Sequence, residues 1–163
     1  MIANVHGEVV SVGEDNLVID VGGVGLRVQA PAALCQQTQR GERIRLHTFL
    51  VVREDALSLY GFEREAERDF FLLLLGVNGV GPRLALAILS SLSLDVIRLA
   101  VLREQPDVLA RVPGVGKKTA QKIVLHLQGR VGEGFPLGVP ELLDVDTEVV
   151  QALTSLGYSV VEA

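Results

Sequence analysis

The sequence predicts an α+β chain of more than one domain, in which a small N-terminal β-barrel precedes an all-helical unit. Three observations carry that prediction. The first 62 residues fall into short β-rich runs separated by glycine-containing turns. Residues 63–130 instead carry apolar positions at helical spacing. Within that second stretch one phrase occurs twice, as Val77-Asn78-Gly79-Val80-Gly81-Pro82-Arg83 and as Val112-Pro113-Gly114-Val115-Gly116-Lys117-Lys118, at an offset of 35 residues. At the same offset Leu74 matches Leu109, Ala85 matches Ala120 and Ile88 matches Ile123, so the phrase belongs to an internal repeat.

In the first 62 residues, Val5, Val9, Val10 and Val12 begin a strand, residues 16–21 form a second after the Gly13-Glu14-Asp15 turn, and residues 25–29 form a third after Gly22-Gly23. Residues 31–37 make one short helix with Pro31 in its opening turn. After Gly41-Glu42, residues 43–53 read as a long strand in which Ile44, Leu46, Leu50 and Val52 alternate with other residues, and residues 56–60 return antiparallel to it. Five strands and a small helix resemble an OB-fold. The order of strand pairing is not legible.

The helical unit starts with residues 63–75, whose acidic side chains sit in the first turn, where the helix dipole favours them. The end of that helix, Phe70-Phe71-Leu72-Leu73-Leu74-Leu75, is apolar nearly all round, which calls for burial on several sides, another subunit being one candidate cover. Residues 82–92 form the second helix of the first hairpin, with Pro82 in its opening turn. Residues 95–103 form a connecting helix capped by Ser93 or Asp95. Residues 106–111 lead into the second hairpin, and residues 117–128 follow it until Gly129.

Gly132, Gly134, Pro136, Gly138 and Pro140 make residues 131–146 a linker. Residues 147–163 hold one short amphipathic helix, with Val149, Val150, Leu153 and Leu156 on one face and Gly157 as its stop, and then a stub capped by Ser159. One helix and a stub cannot bury that face alone, so this third unit is expected to be incomplete or to pack elsewhere. The expected division is therefore 1–62, 63–130, 131–146 and 147–163.

Composition removes several function classes. With 48% hydrophobic residues the chain can bury a core, which excludes wholesale disorder. Its longest apolar stretch is too short to span a bilayer. The start, Met1-Ile2-Ala3-Asn4, lacks the basic and apolar regions of a secretory signal. Cys35 is the single cysteine, so no internal disulfide forms, and a reducing cytoplasm is the expected location, with no membrane partner. The net charge of −5 conceals a gradient: residues 1–62 carry −2, residues 63–130 carry +3 and residues 131–163 carry −6. The helical unit is the one positive segment, and the three lysines of the chain, Lys117, Lys118 and Lys122, all lie in the second hairpin and its helix.

A Gly-Val-Gly turn between two helices has a specific chemical capacity. Glycine lets the turn visit backbone angles that a Cβ forbids, and it lets another backbone come close. Successive turn amides and the free N–H groups at the start of the next helix point outward together, toward an anion. Two copies followed by basic residues resemble tandem helix-hairpin-helix motifs, which bind DNA without reading bases. The candidate phosphate contacts are Asn78, Gly79, Val80, Gly81, Pro82 and Arg83 in the first hairpin, with Pro113, Gly114, Val115, Gly116, Lys117, Lys118, Thr119 and Lys122 in the second. The plainer alternative is that the glycines only connect packed helices.

Other chemistries find less support. Gly116-Lys117-Lys118-Thr119 is not a nucleotide phosphate loop, because Arg111 stands where the first glycine belongs and Lys118 where serine or threonine belongs. Leu84 and Thr119 occupy the last positions of an incomplete G-x-G-x-x-G in each hairpin. His6, His47 and His126 lack metal-ligand spacing. Ser90 and Ser91 have no neighbouring base. A helix-hairpin-helix glycosylase or nuclease would need a lysine nucleophile or a catalytic aspartate beside the second hairpin. Lys122 is a weak candidate for the first, and no aspartate lies between Pro113 and Asp144. Glu54 and Asp55, at the tip of a hairpin, are read from the residues alone as a catalytic pair, a metal site or a solvated turn.

Longer matching stretches identify a resemblance. Val21-Gly22-Gly23-Val24-Gly25, Phe49-Leu50-Val51-Val52-Arg53-Glu54-Asp55-Ala56, Leu59-Tyr60-Gly61-Phe62, the run from Asn78 to Ser90 and Pro113-Gly114-Val115-Gly116-Lys117-Lys118-Thr119-Ala120 are similar to the RuvA family of Holliday-junction-binding subunits. The resemblance implies an OB-fold first domain that forms a homotetramer, a second domain that grips the arms of a four-way DNA junction, and a mobile third domain that binds the RuvB motor. It further implies RuvC resolvase as a partner, roles in recombination, repair and the SOS response, no cofactor, and ATP hydrolysis supplied by the motor. Glu54 and Asp55 acquire the role of an acidic pin at the tetramer centre, electrostatic rather than catalytic. One tetramer or two facing tetramers would clasp the junction. The third domain of the family is a three-helix bundle, so the shorter 147–163 segment puts RuvB binding in question while leaving junction binding in place.

Overall fold

The computed structural model describes residues 1–131, so the expectations for the remaining linker and the third unit fall outside the described residues. Five strands, β1 (Asn4–Val12), β2 (Asn16–Val21), β3 (Val24–Gln29), β4 (Arg43–Val52) and β5 (Leu57–Phe62), close into a barrel in the order β1-β2-β3-β5-β4, and α1 (Ala32–Gln37) lies between β3 and β4 in the chain. This is the OB-fold-like barrel expected from the sequence. The pairing order that could not be read follows from one crossover: β3 and β5 run parallel, with Val28 opposite Leu59 and Gln29 opposite Tyr60, while every other pair is antiparallel.

Alternation fills the barrel. Val5, Val9, Leu17, Ile19, Val28, Leu46 and Leu59 point inward, and Leu34 and Cys35 of α1 join them. The register slips between Val9 and Ser11, a β-bulge that bends β1 round the barrel. Pro31 stands at the cap of α1, one residue before the helix, rather than inside its first turn.

The helical unit comprises α2 (Glu65–Leu75), α3 (Pro82–Ser91), α4 (Leu94–Leu102), α5 (Pro106–Leu109) and α6 (Lys117–Leu127). β5 continues to Phe62, and α2 starts two residues later than its acidic residues suggest, because the N–H of Arg64 donates to Glu67 Oε2 at 3.3 Å and marks the helix start there. Ser93 caps α4, its Oγ accepting from the N–H of Val96 at 3.4 Å. The apolar end of α2 is covered on most sides: Phe70, Phe71 and Leu74 are buried, and Leu73 and Leu75 pack against the same cluster.

One aromatic side chain joins the two units. Phe71 of α2 stacks on Tyr60 at a centroid separation of 5.0 Å, tilts against Phe62 at 5.1 Å and meets Phe49 edge-on at 6.4 Å. Tyr60 and Phe62 are strand residues whose side chains belong to the helical core. The barrel and the helices therefore share an apolar seam, and rings of this size account for much of the burial at such a seam. A hydrogen bond from the N–H of Ala32 to Ser90 Oγ, at 3.2 Å, ties α1 to α3 beside it.

Candidate nucleic-acid interface

The two halves of the repeat adopt one geometry. In the first, the N–H of Val77 donates to Leu74 O at 3.0 Å, that of Val80 to Val77 O at 3.0 Å and that of Ala85 to Gly81 O at 2.9 Å. In the second, Val112 donates to Leu109 O at 3.1 Å, Val115 to Val112 O at 3.0 Å and Ala120 to Gly116 O at 2.9 Å. Gly79 and Gly114 hold φ of +91° and +90°. A bond from the fourth residue back to the first, with positive φ at the third residue alone, defines a type II turn, and Pro113 occupies the second position that such turns favour.

Apolar residues set these turns in place. Val77, Val80, Val112 and Val115 are buried, as are Ala85, Ile88, Ala120 and Ile123 on the helices that follow. Val80 and Val115 are therefore anchored by their side chains, and their own N–H groups are taken up within the turns by Val77 O and Val112 O. Asn78, Gly79, Gly81, Arg83, Pro113, Gly114, Gly116, Lys117, Lys118 and Lys122 are exposed, while Pro82 and Thr119 are half-buried. Side chain Cδ1 of Leu84, on the first hairpin's second helix, stands 3.3 Å from where a Cβ on Gly114 would lie, so the hairpins are neighbours.

The donors left over are the chemical content of the site. The N–H groups of Asn78, Gly79, Gly81, Arg83 and Leu84 have no protein acceptor among the described residues, and the same holds for Gly114, Gly116, Lys117, Lys118 and Thr119. Pro82 opens α3 and supplies no N–H where Lys117 opens α6 and does, and Pro113 in turn lacks the N–H that Asn78 leaves unpaired, so the two hairpins offer equal numbers of free donors. Both helix starts are free of acidic side chains in their first turn. An anion at either turn meets partial positive charge from the helix end and full charge from Arg83 or from Lys117 and Lys118.

Gly81 and Gly116 differ in kind from Gly79 and Gly114. They cap α3 and α6 with φ of −90° and −78°, angles open to any residue. A Cβ at either would meet nothing within 4 Å. Neither backbone angle nor internal packing demands glycine there, and the open space faces outward, where a ligand's backbone would come closest.

Glu54 and Asp55 occupy the turn between β4 and β5, closed by a hydrogen bond from the N–H of Arg53 to Ala56 O at 2.9 Å. Both are exposed, and among the described residues no three of His, Cys, Asp and Glu gather as metal ligands. Val52 and Leu57, opposite each other just below the turn, are the barrel's most exposed large apolar side chains after Met1. Ser58 and Tyr60 of β5 line one groove with Arg83, and Arg53 lies near enough to Tyr60 to act on its hydroxyl, a grouping with no signature in the sequence because it joins the barrel to α3 across the seam. No single helix among the described residues is long and apolar enough to cross a membrane.

Comparison with known proteins divides the chain as its elements do. Residues 1–61 match the family model described as the RuvA N terminal domain, and residues 71–128 match a SAM-like helix-hairpin-helix tandem. Over its whole length the chain is 46% identical to a protein of Symbiobacterium thermophilum, 46% identical to one of Herpetosiphon aurantiacus and 46% identical to one of Thermobifida fusca, covering 85% of each. All three relatives are named Holliday junction branch migration complex subunit RuvA.

Proposed function

Because the chain belongs to the RuvA family of branch migration complex subunits, we propose that it binds four-way DNA junctions through their backbone phosphates. It holds the junction open for strand exchange driven by a partner motor of the RuvB type. The chain itself carries out no catalysis; ATP is hydrolysed by the partner. The observation that carries this reading is the pair of glycine turns with matching backbone angles and hydrogen bonds, each with unpaired N–H groups and exposed basic side chains beside it. Contacts of that kind touch phosphate and not base edges, so they set position without reading sequence.

The working form is a homotetramer, alone or as two facing tetramers, with the β4–β5 turns gathered at its centre. Each subunit then contributes Glu54 and Asp55 to an acidic pin. Carboxylates packed round a fourfold axis repel phosphates, which discourages an uninterrupted duplex from crossing the centre and favours parted strands. Asn78 to Arg83 and Pro113 to Thr119, with Lys122, grip the arms. RuvC resolvase is a further partner of the assembled complex, and the setting is cytoplasmic recombination and repair.

The deciding experiment is a titration of the purified chain against a synthetic four-way junction and a linear duplex of equal length, at moderate salt with excess competitor DNA. Strong preference for the junction is the expected result. Equal affinity for both would reduce the hairpins to a general DNA-binding device, and absence of binding would leave them as packing elements.

A further inference from the structure

Tyr60 is only 6% exposed, yet its hydroxyl makes no hydrogen bond among the described residues. The hydroxyl is not among the side-chain atoms cut off from solvent, so the small exposed part of Tyr60 includes its O–H, and an acceptor entering from outside would replace the water that this group meets. Reorientation is blocked. The ring stacks on Phe71 with the planes 29° apart, and the strand beneath it is paired on both sides, to Gln29 and to Phe49.

The ring borders a groove of about 340 Å³ between the barrel and α3, which is also lined by Gln29 and Ser58 from the barrel, Arg83 and Ser90 from the helix, and Asp15 from the β1–β2 turn. The hydrogen bond from Ala32 to Ser90 fixes the separation of its two walls. Arg83 follows the first hairpin directly, and Arg53 begins the turn that carries Glu54 and Asp55, so the groove lies between the two parts of the candidate site. Both guanidinium groups pull the phenol pKa down, but burial acts more strongly and holds it above its ordinary value. The hydroxyl is thus a neutral donor in a positive field. Among the described residues neither Arg53 nor Arg83 forms an ion pair. Asp15 opposes them with one carboxylate, whose Oδ1 already accepts from Asn16 Nδ2 at 2.9 Å.

We propose that this groove is an additional DNA-backbone site, in which the Tyr60 hydroxyl donates to a phosphodiester oxygen of a strand running from the first hairpin toward the acidic turn, with Arg83 and Arg53 balancing its charge. The proposal rests on the junction-binding reading. A nucleobase fits the groove less well, because Phe71 already covers the ring face on which a base would stack.

Tyr60→Phe removes one oxygen and keeps the stacked ring. It is compared with the unaltered full chain on junctions in which single phosphates are replaced, one position at a time, by neutral methylphosphonate. About tenfold weaker junction binding is expected from loss of a hydrogen bond to a charged group, with an unchanged salt slope because no cation is lost. At one position between the crossover and the hairpin contacts, the methylphosphonate should weaken the unaltered chain and have no further effect on the variant. Ser58→Ala should lose less, at the same phosphate, and it decides the matter if thermal melts find Tyr60→Phe unfolded. Unaltered affinity in a folded Tyr60→Phe, or equal sensitivity of both chains at every phosphate, overturns the proposal and leaves junction binding intact. A change in the variant's assembly state without DNA, measured by sedimentation, assigns the hydroxyl to a subunit contact and overturns it too. Absence of junction preference in the unaltered chain removes the premise as well, and is recognised before any variant is compared.

Discussion

Gly79 and Gly114, 35 residues apart in sequence, hold the same left-handed backbone angle, +91° against +90°, each at the third position of a hydrogen-bonded turn between helices. The repeat is thus one local solution used twice. Replacing either residue by alanine forces a Cβ into the left-handed region, at a cost of about 1–2 kcal/mol. Gly114→Ala should cost more than Gly79→Ala, because its Cβ would also press on Leu84 at 3.3 Å while the other meets open space. Urea unfolding of the two variants measures the difference, and equal losses would mean that Leu84 moves aside freely.

Gly81→Ala and Gly116→Ala should behave in the opposite way. Their backbone angles suit alanine and their surroundings are open, so stability should fall by less than about 1 kcal/mol, the difference between glycine and alanine as a helix cap. Junction affinity should nevertheless drop by on the order of tenfold or more, since the added methyl stands where a phosphate approaches and displaces its hydrogen bonds to the turn. Thermal melts and junction titrations on the same preparations test this pair of expectations. Unchanged affinity in both variants would locate the phosphates elsewhere.

Lys117 and Lys118 open α6, exposed and without an acidic neighbour in that turn. Changing both to alanine should weaken binding to all sequences alike. The dependence of log affinity on log salt should flatten by about 0.9 for each phosphate that is no longer neutralised. A slope identical to that of the unaltered chain would show that neither ammonium group meets a phosphate.

Glu54→Gln combined with Asp55→Asn removes the charge from the β4–β5 turn and keeps its shape. Affinity for junctions should hold or rise, and the preference for junction over duplex should shrink, because the repulsion of phosphates is what the carboxylates contribute. Loss of all binding would contradict an electrostatic role.

Glu104 is the one residue other than glycine with positive φ among the described residues, at 53°. It follows α4 in the position that glycine usually takes, with its N–H donating to Val101 O at 3.2 Å and that of Gln105 to Ala100 O at 2.8 Å. Glu104→Gly should therefore stabilise the chain by roughly 1 kcal/mol, partly offset by loss of the exposed hydrogen bond from Gln128 Nε2 to Glu104 Oε1. A rise of a few degrees in melting temperature is the expected reading, and a fall would mean that the bond to Gln128 outweighs the backbone strain.

What the sequence determined by itself was local. Strand alternation at Ile44, Leu46 and Leu50 marked an inward face, Ser93 and Asp95 marked the start of α4 between them, and a glycine pair with its flanking valines determined each hairpin, because each of these rests on residues a few positions apart. The family resemblance was legible for the same reason, in runs of contiguous residues. The tertiary structure alone decided how those pieces meet. The parallel pairing of β3 with β5 closes the barrel through residues about thirty positions apart, and Phe71 gathers Phe49, Tyr60 and Phe62 into a seam that belongs to both units. That seam buries the ring of Tyr60 and leaves its hydroxyl at the edge of a groove that Arg83 also lines. No pattern along the chain encodes such a neighbourhood, because it is a property of how two faces pack and not of either face by itself.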